Sequence, residues 1–113
     1  MTTTTHIPRE VLATLADHLP QFDSLPAEEA RGRGCVWCGW HLTAETAIDL
    51  GEQLEPLHGR RWFPRGCHRC TADRAHRAML DHCSACPLCA DADTAAHCVT
   101  GRGLYRLQRE CRR

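Results

Sequence analysis

The sequence predicts a small α+β fold that is held together by bound metal. Two Cys-x-x-Cys pairs lie at Cys35–Cys38 and Cys67–Cys70, and the 28 residues between them are enough for a β-hairpin and little more. Large apolar residues are sparse in this 113-residue chain, and aromatic residues make up only 5% of it. A short chain with so small a hydrophobic core usually needs a further source of stability, which bound metal supplies.

The two pairs predict one closed metal site. Thiolates two residues apart can both reach one tetrahedral ion at about 2.3 Å, and two such pairs complete a four-cysteine zinc site. Disulfides are the competing use, but nine cysteines are an odd number, and neither a secretory signal nor a membrane-spanning apolar run is visible. We therefore expect a cytoplasmic protein with reduced thiols, no membrane partner, and zinc on Cys35, Cys38, Cys67 and Cys70.

Charge is balanced overall but unevenly spread along the chain. Residues 9–55 carry nine acids against three arginines, whereas residues 60–77 carry six arginines against one aspartate. The segment 102–113 carries five arginines against Glu110. An acidic front and a basic back indicate either a nucleic-acid face or attraction between the two halves.

Residues 1–34 form the first predicted region, with a disordered start at residues 1–6. Pro8 suits the first position of a helix, and Pro20 stops it. Between them the apolar residues Val11, Leu12, Leu15, Ala16 and Leu19 fall at helical spacing. This stripe either packs on the metal-bound core or docks a partner, which allows a homodimer through this helix. Residues 20–34 then read as a linker or loose loop.

Residues 35–82 form the second predicted region. Gly39 lets the chain turn tightly after the first pair, and Trp37 and Trp40 are expected to pack in the core. Alternating apolar residues predict a half-buried strand over 42–50, with a short helix capped by Thr43 as the alternative. The run Arg60–Phe63 predicts the return strand, which Pro64 and Gly66 end.

A helix is predicted directly after the second pair. Thr71 and Asp73 suit its first turn, and Ala72, Ala75, Met79 and Leu80 fall on one face. The order of knuckle, hairpin and a Cys-x-x-Cys pair opening a helix resembles the treble-clef group of zinc fingers over residues 35–82.

Residues 83–113 are predicted to hold a second metal cluster and a C-terminal helix. The run HCSACPLC at 82–89 and the later His97 and Cys98 offer a second ligand set. We expect a second zinc ion on His82, Cys86, Cys89 and Cys98, with Cys83 as an alternative to His82 and His97 as an alternative to Cys98. An iron–sulfur cluster on Cys83, Cys86, Cys89 and Cys98 and free structural cysteines are the other interpretations.

The same run also resembles the H-x3-C-x2-C signature of zinc-binding anti-sigma factors. That resemblance implies an additional upstream ligand, and His58 lies 24 residues before His82, although in a predicted hairpin instead of a helix. Over residues 35–112 the chain resembles uncharacterised small cysteine-rich zinc-finger proteins of high-GC bacteria, which share CxWCG, WFPRGC and a closing CxxG…LYRL.

The C-terminal helix is predicted from Leu104, Tyr105, Leu107 and Gln108. Gly101 and Gly103 each cost about 1 kcal/mol in a helix interior, so they indicate either a break or close approach to another element. Arg102, Arg106, Arg109 and Arg113 share one helical face, which is either solvated or binds phosphate or an acidic protein. Cys111 has no spacing partner and is predicted to be a lone thiol.

These patterns favour a non-catalytic zinc-binding adaptor or regulator that binds a protein of the transcription machinery. The alternatives are a nucleic-acid-binding finger with Trp62 and Phe63 for stacking, a redox-sensing zinc switch, and an HNH-like nuclease using His58. The candidate partner-binding residues are Arg60, Arg61, Arg65, Arg69, Arg74, Arg77, Arg102, Arg106 and Arg109.

Overall fold

A computed structural model describes residues 7–112 of the chain. The predicted disordered start at residues 1–6 and Arg113 of the predicted arginine face lie outside these residues. The small α+β fold is confirmed. In chain order its elements are α1 (Arg9–Ala16), a 3-10 turn (Phe22–Ser24), α2 (Ala27–Ala30), β1 (Ala47–Asp49), β2 (Gln53–Leu54), β3 (Arg61–Trp62), β4 (Arg65–Cys67), α3 (His68–Ala85), α4 (Pro87–Ala90), a 3-10 turn (Ala95–His97) and α5 (Val99–Cys111).

The two Cys-x-x-Cys pairs are joined by an antiparallel hairpin in two pieces. β1 pairs with β4, placing Ala47 opposite Cys67, and β2 pairs with β3, placing Gln53 opposite Trp62. The register shifts by one residue between the two pieces. The Leu50 N–H donates to the Pro64 carbonyl at 3.1 Å between them, so they act as one interrupted hairpin.

The first strand is shorter than predicted. Regular pairing covers only Ala47–Asp49, because Thr43 and Thr46 form a turn in which each side-chain oxygen accepts the other residue's N–H, at 2.9 and 3.3 Å. Such local side-chain bonds compete with a sheet ladder, and the alternative of a helix at Thr43 is also wrong. The burial that alternation predicts holds for Leu42, Ile48 and Leu50.

The predicted end of the return strand is wrong as well. Pairing stops at Trp62 but resumes at Arg65, so Gly66 lies inside β4 and does not end a strand. A Cβ at Gly66 would lie 2.6 Å from Thr71 Oγ1 and 2.7 Å from Trp37 Cζ3. Gly66 therefore makes room for the Trp37 ring against β4.

A buried glutamate that the sequence analysis missed closes the tip of the hairpin. The side chain of Glu55 is 1% exposed and accepts the N–H of Leu57 at 3.2 Å and the N–H of His58. Burial raises the pKa of Glu55, but these N–H groups and the charges of His58 and Arg60 outweigh it and leave the pKa below its ordinary value. The available sequence signal was weak: an acid directly before a Pro-x-x-Gly turn.

Replacing Glu55 by glutamine is expected to loosen the hairpin tip at neutral pH. Because the folded-state pKa of Glu55 is lowered, its ionised form stabilises the fold above the unfolded-state pKa, and this stabilisation is lost as pH falls through the folded-state pKa. Hydrogen exchange should therefore show faster exchange at Leu57 and His58 in Glu55→Gln than in the wild type at pH 7. Equal exchange rates would show that the carboxylate does not hold the turn.

Helix α3 begins earlier than predicted. Cys67 is its N-cap, and the Cys67 sulfur accepts the Cys70 N–H at 3.3 Å, so Thr71 and Asp73 lie beyond the first turn. Of the residues predicted to share one face, Ala72 and Ala75 are buried but Leu80 is 56% exposed, and Ala78 is buried in addition. The buried residues of α3 are Thr71, Ala72, Ala75 and Ala78.

The core lies where α1 and α5 pack on α3. Val11 and Leu15 of α1 and Leu104 of α5 are at most 1% exposed, so the prediction that the N-terminal stripe packs on the core is confirmed; the homodimer through this helix stays a prediction. Helix α5 runs unbroken through its glycines. A Cβ at Gly103 would overlap Val11 Cγ2, which confirms close approach and rules out a break.

Helix α3 also spans the predicted boundary between residues 82 and 83. Its first turn holds Cys70 and its last turn holds His82, so one helix carries ligand candidates for both clusters. Within residues 7–112, no helix combines the length and the apolar character that crossing a membrane requires.

Candidate metal centres

The first predicted ligand set is brought together. The sulfurs of Cys35, Cys38, Cys67 and Cys70 all lie within 4.8 Å of one another, and those of Cys38 and Cys67 are 3.9 Å apart. A tetrahedral ion with metal–sulfur bonds of about 2.3 Å separates its sulfurs by about 3.8 Å. All four thiols are free, so this cluster fits one four-coordinate metal ion.

Two local structures aim these sulfurs at one point. On one side the Gly39 N–H donates to the Cys35 carbonyl at 2.8 Å, in a tight turn that Gly39 permits with a φ of 77°. The Val36 N–H donates to the Arg65 carbonyl at 2.9 Å, which fastens this knuckle to β4. On the other side, β4 ends at Cys67 and the first turn of α3 carries Cys70.

The electrostatics of the first cluster favour a bound cation. Burial raises the pKa of Cys35, but the backbone N–H groups of Cys67, Cys38 and Trp37 outweigh it and lower the pKa below its usual value. Burial and the neighbouring sulfurs raise the pKa of Cys70 far above its usual value. Four thiolates therefore cannot ionise side by side unaided, and a divalent cation would remove that penalty and release protons on binding.

The two tryptophans beside the first knuckle differ in burial. Trp37 is half-buried, its indole N–H donates to the His18 carbonyl at 2.9 Å, and the Arg74 guanidinium lies 5.6 Å from its ring centroid. Its predicted place in the core is confirmed. Trp40 is 69% exposed, so the same prediction is wrong for Trp40, which follows the Gly39 turn and lies on the outside.

The second predicted ligand set also comes together. The ligand atoms of His82, Cys86, Cys89 and Cys98 all lie within 4.8 Å of one another. His82 Nε2 is 3.1 Å and the Cys86 sulfur is 3.8 Å from the Cys98 sulfur. Three helices meet at this cluster, since His82 is in the last turn of α3, Cys86 caps α4, and Cys98 caps α5.

Each cluster contains a cysteine whose sulfur caps a helix. A helix start was predicted at the first cluster but not at the second. The Cys98 sulfur accepts the Gly101 N–H at 3.4 Å, as the Cys67 sulfur accepts the Cys70 N–H. The free N–H groups and positive dipole end of a helix stabilise thiolate charge. A Cβ at Gly101 would lie 3.0 Å from the Cys89 sulfur, so a glycine lets α5 begin against the cluster.

The thiols of the second cluster also differ in acidity. Hydrogen bonds from the N–H groups of Cys89 and Leu88 outweigh partial desolvation and lower the pKa of Cys86 below its usual value. A hydrogen bond with the Cys83 thiol, together with desolvation, raises the pKa of Cys89 far above its usual value. As in the first cluster, full ionisation of the ligands needs a cation.

The alternative ligands fall outside the group of four. Cys83 contacts the Cys89 thiol but does not share the mutual 4.8 Å separation of His82, Cys86, Cys89 and Cys98. His97 is exposed in the 3-10 turn before Cys98. Cys111 lies apart in the core, where burial, with a smaller contribution from Glu110, raises the pKa of its thiol to about 11.

Three of the six arginines predicted to form a basic face at residues 60–77 contact other side chains, namely Arg60, Arg61 and Arg74. The Arg61 guanidinium lies 3.0 Å from a Glu52 carboxylate oxygen, and that of Arg60 lies 5.5 Å from the Phe22 ring centroid. Trp62 is 7% exposed and packs edge-on against Phe22, so its predicted stacking on bases is wrong. Phe63 is 53% exposed. Arg65, Arg69 and Arg77 are also exposed, and within residues 7–112 they have no ion-pair or cation–π partner.

The His58 ring lies at the exposed hairpin tip. Its Nδ1 is 3.2 Å from a Glu55 carboxylate oxygen and its side chain is 65% exposed. Among residues 7–112, His58 belongs to neither four-ligand cluster. This arrangement does not place His58 beside a candidate metal site, and the nuclease interpretation stays a prediction.

Comparison of the sequence with protein-family models and with curated proteins, and of the fold with solved structures, gives no match. The resemblances to treble-clef fingers, to anti-sigma factors and to cysteine-rich proteins of high-GC bacteria therefore stay predictions.

Proposed function

We propose that this chain is a non-catalytic binding module that holds two zinc ions and docks on a protein. The observation that carries the proposal is the pair of four-ligand clusters. Four cysteines, and three cysteines with one histidine, are the donor sets of structural zinc. Catalytic zinc keeps one position open for water or substrate, whereas here the chain supplies a full set of four donors at each cluster.

The order of elements supports a treble-clef-like arrangement of the first zinc site. The knuckle at Cys35–Gly39 is followed by the interrupted hairpin, and the second pair opens α3. In the proposed module, zinc joins the knuckle to the helix start. The second zinc then joins the end of α3 to α4 and α5.

A protein of the transcription machinery is the proposed partner. The support is the spacing of His82, Cys86 and Cys89, which resembles the anti-sigma signature and whose side chains meet at one cluster. The cytoplasm is the proposed compartment, because all nine cysteines are free thiols and a reducing compartment keeps them available as ligands.

Binding to purified bacterial RNA polymerase and to its isolated sigma subunits tests this proposal. The zinc-loaded protein should bind one of them saturably, and protein stripped of metal should not. Absence of binding by a protein that carries two zinc ions would contradict the proposed partner. Cleavage of nucleic acid by the same sample would contradict the non-catalytic role.

A redox-sensing zinc switch is the second candidate, favoured by the exposure of Cys38. Peroxide would oxidise two ligand thiols to a disulfide, be reduced to water, and release the ion they held. Peroxide titration with a zinc-sensitive dye tests this. Release of one zinc at near-stoichiometric peroxide would support the switch, and retention of both ions would contradict it.

A further inference from the structure

We infer that the exposed face of α5 is the docking surface of this module and that it takes an acidic segment of a protein. The α5 arginine face consists of Val99, Arg102, Tyr105, Arg106 and Arg109. The inference rests on the proposed function and deepens it, because it names the surface and the chemistry of the partner.

The α5 arginine face is one continuous arc of the helix. At about 100° per residue, these five residues fall within about 120° of arc. All five are exposed, while Leu104, Leu107 and Cys111 on the opposite side are buried. The arc is therefore turned away from α1 and α3 and is free for contact.

The charges on this face are not neutralised by the chain itself. On the hairpin, Arg60 and Arg61 each lie within ion-pair distance of a glutamate. Within residues 7–112, Arg102, Arg106 and Arg109 have no such carboxylate partner. The Arg102 guanidinium donates to the Ala96 carbonyl at 3.1 Å, but a neutral carbonyl does not cancel its charge. Glu110 lies at the edge of the arc, so the three positive charges on about two helical turns complement an acidic partner.

Exposed apolar groups between the charges favour a protein over nucleic acid. Val99 is 61% exposed and Tyr105 is 52% exposed, and the Arg109 guanidinium lies 5.7 Å from the Tyr105 ring centroid. Tyrosine and arginine are enriched where proteins bind proteins. The chain also has no net charge, whereas nucleic-acid-binding domains are typically strongly basic.

The second cluster holds this face in place. Cys98 is both a member of the cluster and the N-cap of α5. Its sulfur accepts the N–H of Gly101, the residue directly before Arg102. A metal ion at this cluster would therefore fix the start of α5 relative to α3 and α4. We expect the docking surface to lose its geometry when that ion is removed.

Fluorescence anisotropy with two labelled probes tests the inference. The probes are a 20-residue amphipathic peptide whose polar face is entirely glutamate and a 20-base-pair DNA duplex. The test variant combines Arg102→Gln, Arg106→Gln and Arg109→Gln. The matched control combines Arg65→Gln, Arg69→Gln and Arg77→Gln, which removes the same charge from exposed residues elsewhere.

The wild type should bind the peptide more tightly than the duplex, with binding that weakens as salt rises. The test variant should lose at least about tenfold in affinity for the peptide, and the control should stay within about twofold. Equal losses in both variants, no peptide binding, or tighter binding of the duplex would each overturn the inference.

Zinc content and polymerase binding measured on the same samples separate this inference from the proposed function. If the test variant keeps two zinc ions and still binds polymerase or sigma as the wild type does, the surface is wrong and the module remains. If the wild type carries no zinc or binds neither protein, the proposed function itself fails.

Discussion

Replacing Cys98 by alanine is expected to reduce the bound zinc from two ions per chain to one and to unfold the region around α4 and α5. The change removes a proposed zinc ligand and also the sulfur that accepts the Gly101 N–H. A structural zinc ion contributes an apparent 10–16 kcal/mol, about as much as the whole stability of a typical domain. Elemental analysis and the loss of helical circular dichroism would measure the effect.

Cys83→Ala is the matched control for this change. Cys83 lies next in sequence to His82 and beside the Cys89 thiol, but outside the group of four. The variant should keep two zinc ions and unfold as the wild type does, within about 1 kcal/mol. Loss of the second ion from Cys83→Ala, with retention in Cys98→Ala, would show that the ligand set is different.

Gly66→Ala is expected to destabilise the protein by about 1–3 kcal/mol, the usual cost of adding volume to a packed core. The new Cβ would lie 2.6 Å from Thr71 Oγ1 and 2.7 Å from Trp37 Cζ3. Thr71 is fully buried, and the Trp37 ring is held by its hydrogen bond to His18. Chemical denaturation in excess zinc would measure the loss of stability, and tryptophan emission should shift in Gly66→Ala but not when the same change is made in a Trp37→Leu background.

A double-mutant cycle shows whether the Trp37 ring is the obstacle. In a Trp37→Leu background the smaller side chain leaves room, so Gly66→Ala should cost at least about 1 kcal/mol less than in the wild type. An equal cost in both backgrounds would show that Thr71 Oγ1, which lies 2.6 Å from the new Cβ, is the obstacle and that the Trp37 ring is not.

The members of both four-residue clusters could be predicted from the sequence because candidate metal ligands recur at short, fixed spacings. Cysteines two residues apart are constrained by the geometry of one ion, whatever the rest of the chain does. Gly101 and Gly103 predicted either a helix break or close approach to another element, because a glycine in a helix interior is costly, and the structure shows close approach at both.

Features that depend on distant parts of the chain were not predictable in the same way. The burial of Ala78 instead of Leu80 follows from where α1 and α5 meet α3, which no local pattern encodes. The outward position of Trp40 follows from the turn at Gly39, and a tryptophan beside a metal knuckle gives no sign of which side it will take. Glu55 is buried because the hairpin tip folds back over it.

The hairpin shows how a correct pattern can give wrong boundaries. The alternation of apolar and polar residues identified Leu42, Ile48 and Leu50 as buried. The side chains of Thr43 and Thr46, however, accept backbone N–H groups and form a turn where strand pairing was predicted. The preference of this segment for a strand was outweighed by hydrogen bonds between side chains and backbone groups three residues apart.

Thermal unfolding of the protein with and without metal is the most direct test of a fold held by sulfur-bound ions. Protein purified under reducing conditions should contain two zinc ions per chain and unfold in one cooperative transition. After complete removal of the metal by a chelator, helical circular dichroism should fall and the cooperative transition should disappear. A metal-free sample that keeps its helical signal and melts cooperatively at the same temperature would contradict metal-dependent folding.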